Sequence, residues 1–190
     1  MNISFGKKIP IAKCNVFDNK QRQFIPVTVN EYDCTTMTDF VEVRKLDSTW
    51  KFADTIARRI YAKNDSYYRK TPNTSRFFNI EKENGEVLGI AACDEKQGSL
   101  DLDFIETAPD KKHKYVGQAF LASLAGHSVN KGKFKFKIKN AIESSVGFYQ
   151  TVCGFNRNYD NDFEISRRTI PQFITQTEQR TQGPIIEIEA

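Results

Sequence analysis

A chain of 190 residues with 39% hydrophobic content and 15 phenylalanines can bury a substantial core, which excludes a disordered or fibrous polypeptide. Its formal net charge of +4 suits an anionic ligand or a partly acidic partner and falls short of a nucleic-acid-binding signature. The sequence contains no apolar run of membrane-spanning length and no recognisable leader, so the expectation is a soluble cytoplasmic protein with no membrane partner.

In chain order, residues 1–32 read as a β-hairpin. Ile9–Phe17 and Phe24–Val29 are β-rich runs, and the polar residues 18–23 between them form the turn. Pro10 and Pro26 point to edge positions. Thr35, Thr36, Thr38 and Asp39 offer N-caps for a helix ending at Leu46, and Asp47-Ser48 caps a second helix over Thr49–Ala62. Trp50, Ala53, Ile56, Ala57 and Ile60 follow helical periodicity, which favours packing over ligand contact for Trp50. Residues 76–83 and 86–93 flank Asn84-Gly85, a strong hairpin signal. The turn 94–98 leads into an apolar-acidic strand from Leu100 to Thr107, completing a three-strand meander. Residues 133–139 alternate Lys with Phe134, Phe136 and Ile138 and read as a near-edge strand with solvated lysines. Residues 163–167 and 184–189 are closing strands, with an ambiguous, helix-capable stretch at 170–180. The last strand can pair within the chain or across a homodimer.

The four cysteines show no CxxC pair or zinc spacing; Cys93 and Cys153 read as buried thiols of a reducing compartment. His113 reads as a surface residue and His127 as a structural one, so no metal site is expected.

The chemistry concentrates between Leu100 and Phe155. After Ala108-Pro109, the basic loop Asp110-Lys-Lys-His-Lys114 runs through Tyr115 and Val116 to Gly117-Gln118-Ala119 and an apolar helix over 120–129. Small residues at a helix start let backbone N–H groups approach an anion, and the helix terminus adds partial positive charge. Gly117 is the residue expected to adopt angles closed to others. Such a loop suits a pyrophosphate, although a short glycine pattern alone equally fits an ordinary strand-to-helix turn.

Lys114-Tyr-Val-Gly117-Gln-Ala119 resembles the Arg/Gln-x-x-Gly-x-Gly/Ala acetyl-CoA loop of the GNAT acetyltransferase superfamily. Phe148-Tyr149…Gly154-Phe155 resembles its FYxxxGF close. The likeness covers roughly residues 77–155, with Lys114 in place of Arg or Gln and a longer Pro109–Gly117 segment. It implies a mixed, mostly antiparallel central α/β sheet flanked by helices. Residues 1–190 would form one domain, with the hairpin as an extension and 77–155 as the acetyl-CoA-binding core. The activity implied is transfer of acetyl from acetyl-CoA to the amine of a small molecule or protein. Strand N–H groups near Ile105 and Thr107 would polarise the thioester where the strand splays, and Lys114, Tyr115, Val116, Gly117, Gln118 and Ala119 would cradle the pyrophosphate.

Tyr149 falls at the family's general-acid position, and a phenol stays protonated at neutral pH. For the base, Glu106 lies nearest the splay and Asp103 better matches a strand-borne family base; an unbroken period of two puts Asp101 and Asp103 on one face and Glu106 on the other. Acidic cleft residues would suit a cationic amine such as a polyamine, an aminoglycoside or a lysine side chain. The competing readings are a non-catalytic acyl-CoA-binding regulatory module and a basic nucleic-acid-associated protein. Salt-dependent RNA or DNA binding without CoA affinity would mark the latter.

Overall fold

The structure is a computed structural model that describes residues 8–34, 37–46, 50–64, 74–158 and 162–188. β1 (Lys8–Asp18) and β2 (Gln23–Tyr32) form the expected hairpin. Helices α1 (Met37–Arg44) and α2 (Ala53–Asn64) follow. β3 (Ser75–Lys82), β4 (Val87–Glu95) and β5 (Ser99–Thr107) are the antiparallel meander. Gly85, at φ +82°, supplies the left-handed residue of the β3–β4 turn, where only glycine is unstrained. The short β6 (His113–Lys114) precedes α3 (Val116–Asn130), which crosses to β7 (Lys135–Ile138). A 3-10 turn (Glu143–Ser145) and a π-helical segment (Phe148–Val152) lead to β8 (Asn156–Arg157) and β9 (Phe163–Ser166). The chain continues through α4 (Ile170–Thr181) to β10 (Ile186–Glu187).

These strands join in one sheet ordered β10-β1-β2-β3-β4-β5-β7-β9-β8, with β6 pairing β1 beside that path. The β5–β7 pair is parallel because α3 carries the chain back across the sheet; the other pairs are antiparallel. β10 pairs β1 of its own chain, which answers where the last strand goes. Eleven of the fifteen α3 residues are buried, as befits a helix apolar nearly all round. Its Phe120, Leu121 and Leu124 join Ile170 and Phe173 of the α4 region in a core on one face of the sheet. A second core on the other face holds Val43, Ile56, Ile60, Phe77 and Ile90, with Trp50 buried among them.

Three local expectations change. β7 lies near one end of the sheet, inside β9 and the two-residue β8, but its lysines are not simply solvated: Lys135 and Lys139 are paired with Glu164 and Asp162. Phe134 precedes the strand and is 65% exposed, although its backbone still bonds to Gly98 and Arg167. The start of α2 is later than Thr49, for a reason given below. Of the proposed caps, Thr35, Thr36, Asp47 and Ser48 lie outside the described residues.

Candidate active site

β5 pairs with β7 only from Ser99 to Leu102, where the Lys139 N–H donates to the Leu102 carbonyl at 2.8 Å. Beyond that point the two strands part. The Ala108 N–H donates to Leu88 of β4. Ladder alternation therefore aims the Glu106 N–H at β4, and the Ile105 and Thr107 N–H groups at the open edge.

A register shift between Ala92 and Cys93 pairs Ala92 with Phe104 and Cys93 with Leu102, leaving Asp103 as the extra residue of a β-bulge. The bulge overturns the expected split of the carboxylates: Asp103 and Glu106 both reach toward α2. Asp103 accepts from Arg59 at 2.9 Å, and the Arg59 guanidinium lies 4.7 Å from the Phe104 ring centroid. The two Glu106 carboxylate oxygens accept the N–H groups of Lys51 and Phe52, each at 2.7 Å. They thus cap the entry to α2 and delay its start to Ala53. Asp103 and Glu106 thus each have a partner within the chain, and Asp103 also lines a cavity.

The turn into α3 is set at its N-cap. Tyr115 sits in the left-handed region at φ 67°, an uncommon conformation for a bulky residue, while Gly117 is already helical. This corrects the expectation for Gly117: helix geometry begins at Val116, so the reversal falls one residue before it. Tyr115 stacks on Phe24 of the hairpin, with ring centroids 6.3 Å apart. The Ala119 N–H donates to the Tyr115 carbonyl at 2.9 Å, closing the first turn. No side chain caps the terminus and no acid occupies the first turn. A Cβ on Gly117 would stand 3.7 Å from Thr107 and 3.8 Å from Phe148, so the glycine opens toward the gap between them.

The π-helical winding of 148–152 brings Phe148 and Tyr149 to the same gap. Tyr149 is buried, packed edge-on to Phe148 and tilted against Phe163, with ring centroids 5.5 and 5.4 Å away. Burial raises its pKa, opposed by a hydrogen bond with Ser145. Gly154 at φ +70° ends the segment.

Three adjoining cavities trace a groove. The inner one, about 120 Å³, is lined by Asp103, Phe104, Ile105 and Tyr149. The central one, about 330 Å³, is lined by Ile105, Thr107, Tyr115, Val116 and Gly117. The outer one, about 510 Å³, is lined by Gly117, Gln118, Phe148 and Arg180.

No protein-family model matches the sequence, and no curated protein is significantly similar to it. Solved structures are. An acetyltransferase of the GNAT family from Desulfovibrio desulfuricans matches with a TM-score of 0.56 at 17% identity, covering 74% of this chain and 98% of that one. A spermidine/spermine N-acetyltransferase from Vibrio cholerae matches with a TM-score of 0.55 at 17% identity, covering 77% and 98%. A GNAT family acetyltransferase from Brucella melitensis, solved with acetyl-CoA, matches with a TM-score of 0.50 at 14% identity, covering 74% and 88%. The chain has the GNAT fold. At such identities the likeness is one of fold.

Within the GNAT fold this chain shows groupings that its sequence did not announce. The His113 side chain is buried rather than exposed, because β6 pairs Asp18 with His113; its Nε2 lies 3.4 Å from the Asp18 carboxylate. Lys114 turns away from the central cavity, its Nζ 5.8 Å from the Phe17 ring centroid. Ala119 lies in the core beneath the groove. Arg180 lines the outer cavity from α4, a helix distant in sequence from the loop. Cys14 and Cys153 are pushed up to about 12 by burial, and Cys93 higher than its ordinary range, so these thiols are held protonated and unsuited to nucleophilic attack. Among the described residues, no group of three or more His, Cys, Asp or Glu could hold a metal, and no helix is long and apolar enough to cross a membrane.

Proposed function

We propose that the protein is an N-acetyltransferase that moves acetyl from acetyl-CoA directly to an amine. One observation carries the reading: the unpaired Ile105 and Thr107 edge of β5 opens onto the uncapped N-terminus of α3, with Tyr149 in the wall of the same groove. These residues fit acetyl-CoA. The amides opening α3 suit a pyrophosphate by donor geometry and helix dipole, and Gly117 leaves its approach clear. The cofactor supplies an activated acetyl thioester.

The Ile105 or Thr107 N–H donates to the carbonyl oxygen as negative charge develops there. Tyr149 hands its phenolic proton to the departing sulfur; its burial keeps that proton in place at neutral pH. Asp103, which lines the inner cavity, receives the proton of the attacking amine through water. Glu106, the other candidate, holds the start of α2 and so shapes the acceptor side. The acceptor class is an amine of a small molecule or protein.

Calorimetric titration with acetyl-CoA, followed by thiol release across a panel of amines, tests this. Wild type is expected to bind at micromolar concentration. Gly117→Glu, which places an anion in the anion site, is expected to lose binding while its thermal unfolding stays cooperative. Tyr149→Phe is expected to bind normally and to release thiol about 100-fold more slowly. A wild type that does not bind overturns the proposal; binding without turnover on any amine leaves a CoA-binding module instead.

A further inference from the structure

Acetyl-CoA is a linear molecule with the thioester arm at one end, the pyrophosphate between, and a 3′-phosphorylated adenosine at the other end. The groove has the same order of features. Its inner cavity holds Tyr149 and the splayed edge of β5, and its central cavity faces the start of α3. With those two ends assigned as above, the adenosine falls to the outer cavity, which meets the central one at Tyr115, Gly117 and Phe148.

Among the described residues lining the outer cavity, Arg180 is the one that carries charge. It stands in the last turn of α4, and its Nη1 donates to the Val152 carbonyl at 3.0 Å. That bond holds the guanidinium at the rim of the π-helical segment, and its other N–H donors suit a phosphate. Two features steady the helix that presents it. Gln118 Nε2 in the first turn of α3 reaches Thr177 Oγ1 of α4 at 3.4 Å, and Phe173 packs on Phe155 at 5.1 Å between centroids. The arginine therefore comes from an element placed by the cofactor loop itself.

We propose that Arg180 pairs with the adenosine 3′-phosphate and makes the protein prefer CoA to its 3′-dephospho form. This inference rests on the acetyl-CoA reading and adds a specificity-determining residue to it. The phosphate at this position is the one chemical difference between the two ligands, so their ratio of affinities reads the contact directly. Because Arg180 is exposed, water and salt screen the pair, and the preference is set at about five- to tenfold.

The experiment is calorimetric titration of wild type and Arg180→Met with CoA and with 3′-dephospho-CoA, at one fixed salt concentration. Wild type is expected to bind CoA about five- to tenfold more tightly than 3′-dephospho-CoA. Arg180→Met is expected to bind the two alike, with its 3′-dephospho-CoA affinity equal to that of wild type. A wild type indifferent to the 3′-phosphate overturns the inference and leaves the acetyl-CoA reading intact. So does an Arg180→Met variant that weakens both ligands equally, since that pattern reports a loosened groove. A wild type that binds neither ligand overturns both.

Discussion

His127 shows how burial decides a residue's charge. It sits late in α3 with 11% of its side chain exposed, edge-on to Phe78 at 5.8 Å, and its Nε2 lies 3.7 Å from the Glu31 carboxylate. Burial lowers its pKa to about 4; Lys131 and Arg76 add to the shift, and Glu95 opposes it. Desolvation wins over the acidic neighbours, so the folded imidazole is neutral. In the unfolded chain it titrates near 6.5. Between those two values the unfolded chain binds a proton that the folded chain refuses, so stability falls as pH drops through that window. There is no penalty above the upper value. The expected loss from this residue at pH 4.5 is about 2–3 kcal/mol. Urea unfolding of wild type and His127→Leu at pH 7 and pH 4.5 checks it. The wild type should lose more stability than the variant over that interval, whatever constant offset the leucine introduces. Parallel losses would mean that the folded site accepts the charged imidazole.

At the scale of elements, the β5 bulge does the most. By adding Asp103 it turns two carboxylates toward α2, and Glu106 then fixes where that helix begins. Removing both acceptors in Glu106→Ala is expected to cost about 1–2 kcal/mol, the range of a lost N-cap, measured by chemical unfolding. Unchanged stability would show that the two N–H groups find water as readily. The fold around this point was legible where local chemistry carried it. Asn84-Gly85 marked the meander, the alternating runs on either side of residues 18–23 marked the hairpin, and Tyr149 with Gly154 marked the groove wall. The bulge was not, because Asp103-Phe104 contains no Gly or Pro and the extra residue is defined only against β4. Residue type points to Gly117 as the residue able to turn left-handed, whereas Tyr115, stacked on Phe24, takes that conformation. Long-range pairings such as β6 with β1 leave no local trace at all.

The whole molecule ties its N-terminal hairpin to the loop that precedes α3. Phe17 and Asp18 pair with Lys114 and His113, and the Asn19 backbone N–H and side-chain amide both donate, at 2.9 Å, to the carbonyls of Lys112 and Lys111. Phe24 stacks on Tyr115 at the N-cap of α3. Lys111, at φ 52°, and Tyr115 are the two left-handed non-glycine residues of this loop, and both are bounded by these contacts. Such conformations persist where the surroundings over-determine them. The hairpin therefore buttresses the loop that leads into α3, where the proposed pyrophosphate site lies. Deleting one exposed side-chain bond in Asn19→Ala is expected to weaken CoA binding a few-fold, on the order of 1 kcal/mol, with cooperative unfolding retained. CoA binding to wild type is also expected to slow amide exchange at residues 17–24, although the hairpin turn touches no part of the groove except through this loop. Unchanged affinity in the variant, together with unchanged exchange in the hairpin, would show that the loop holds its shape alone.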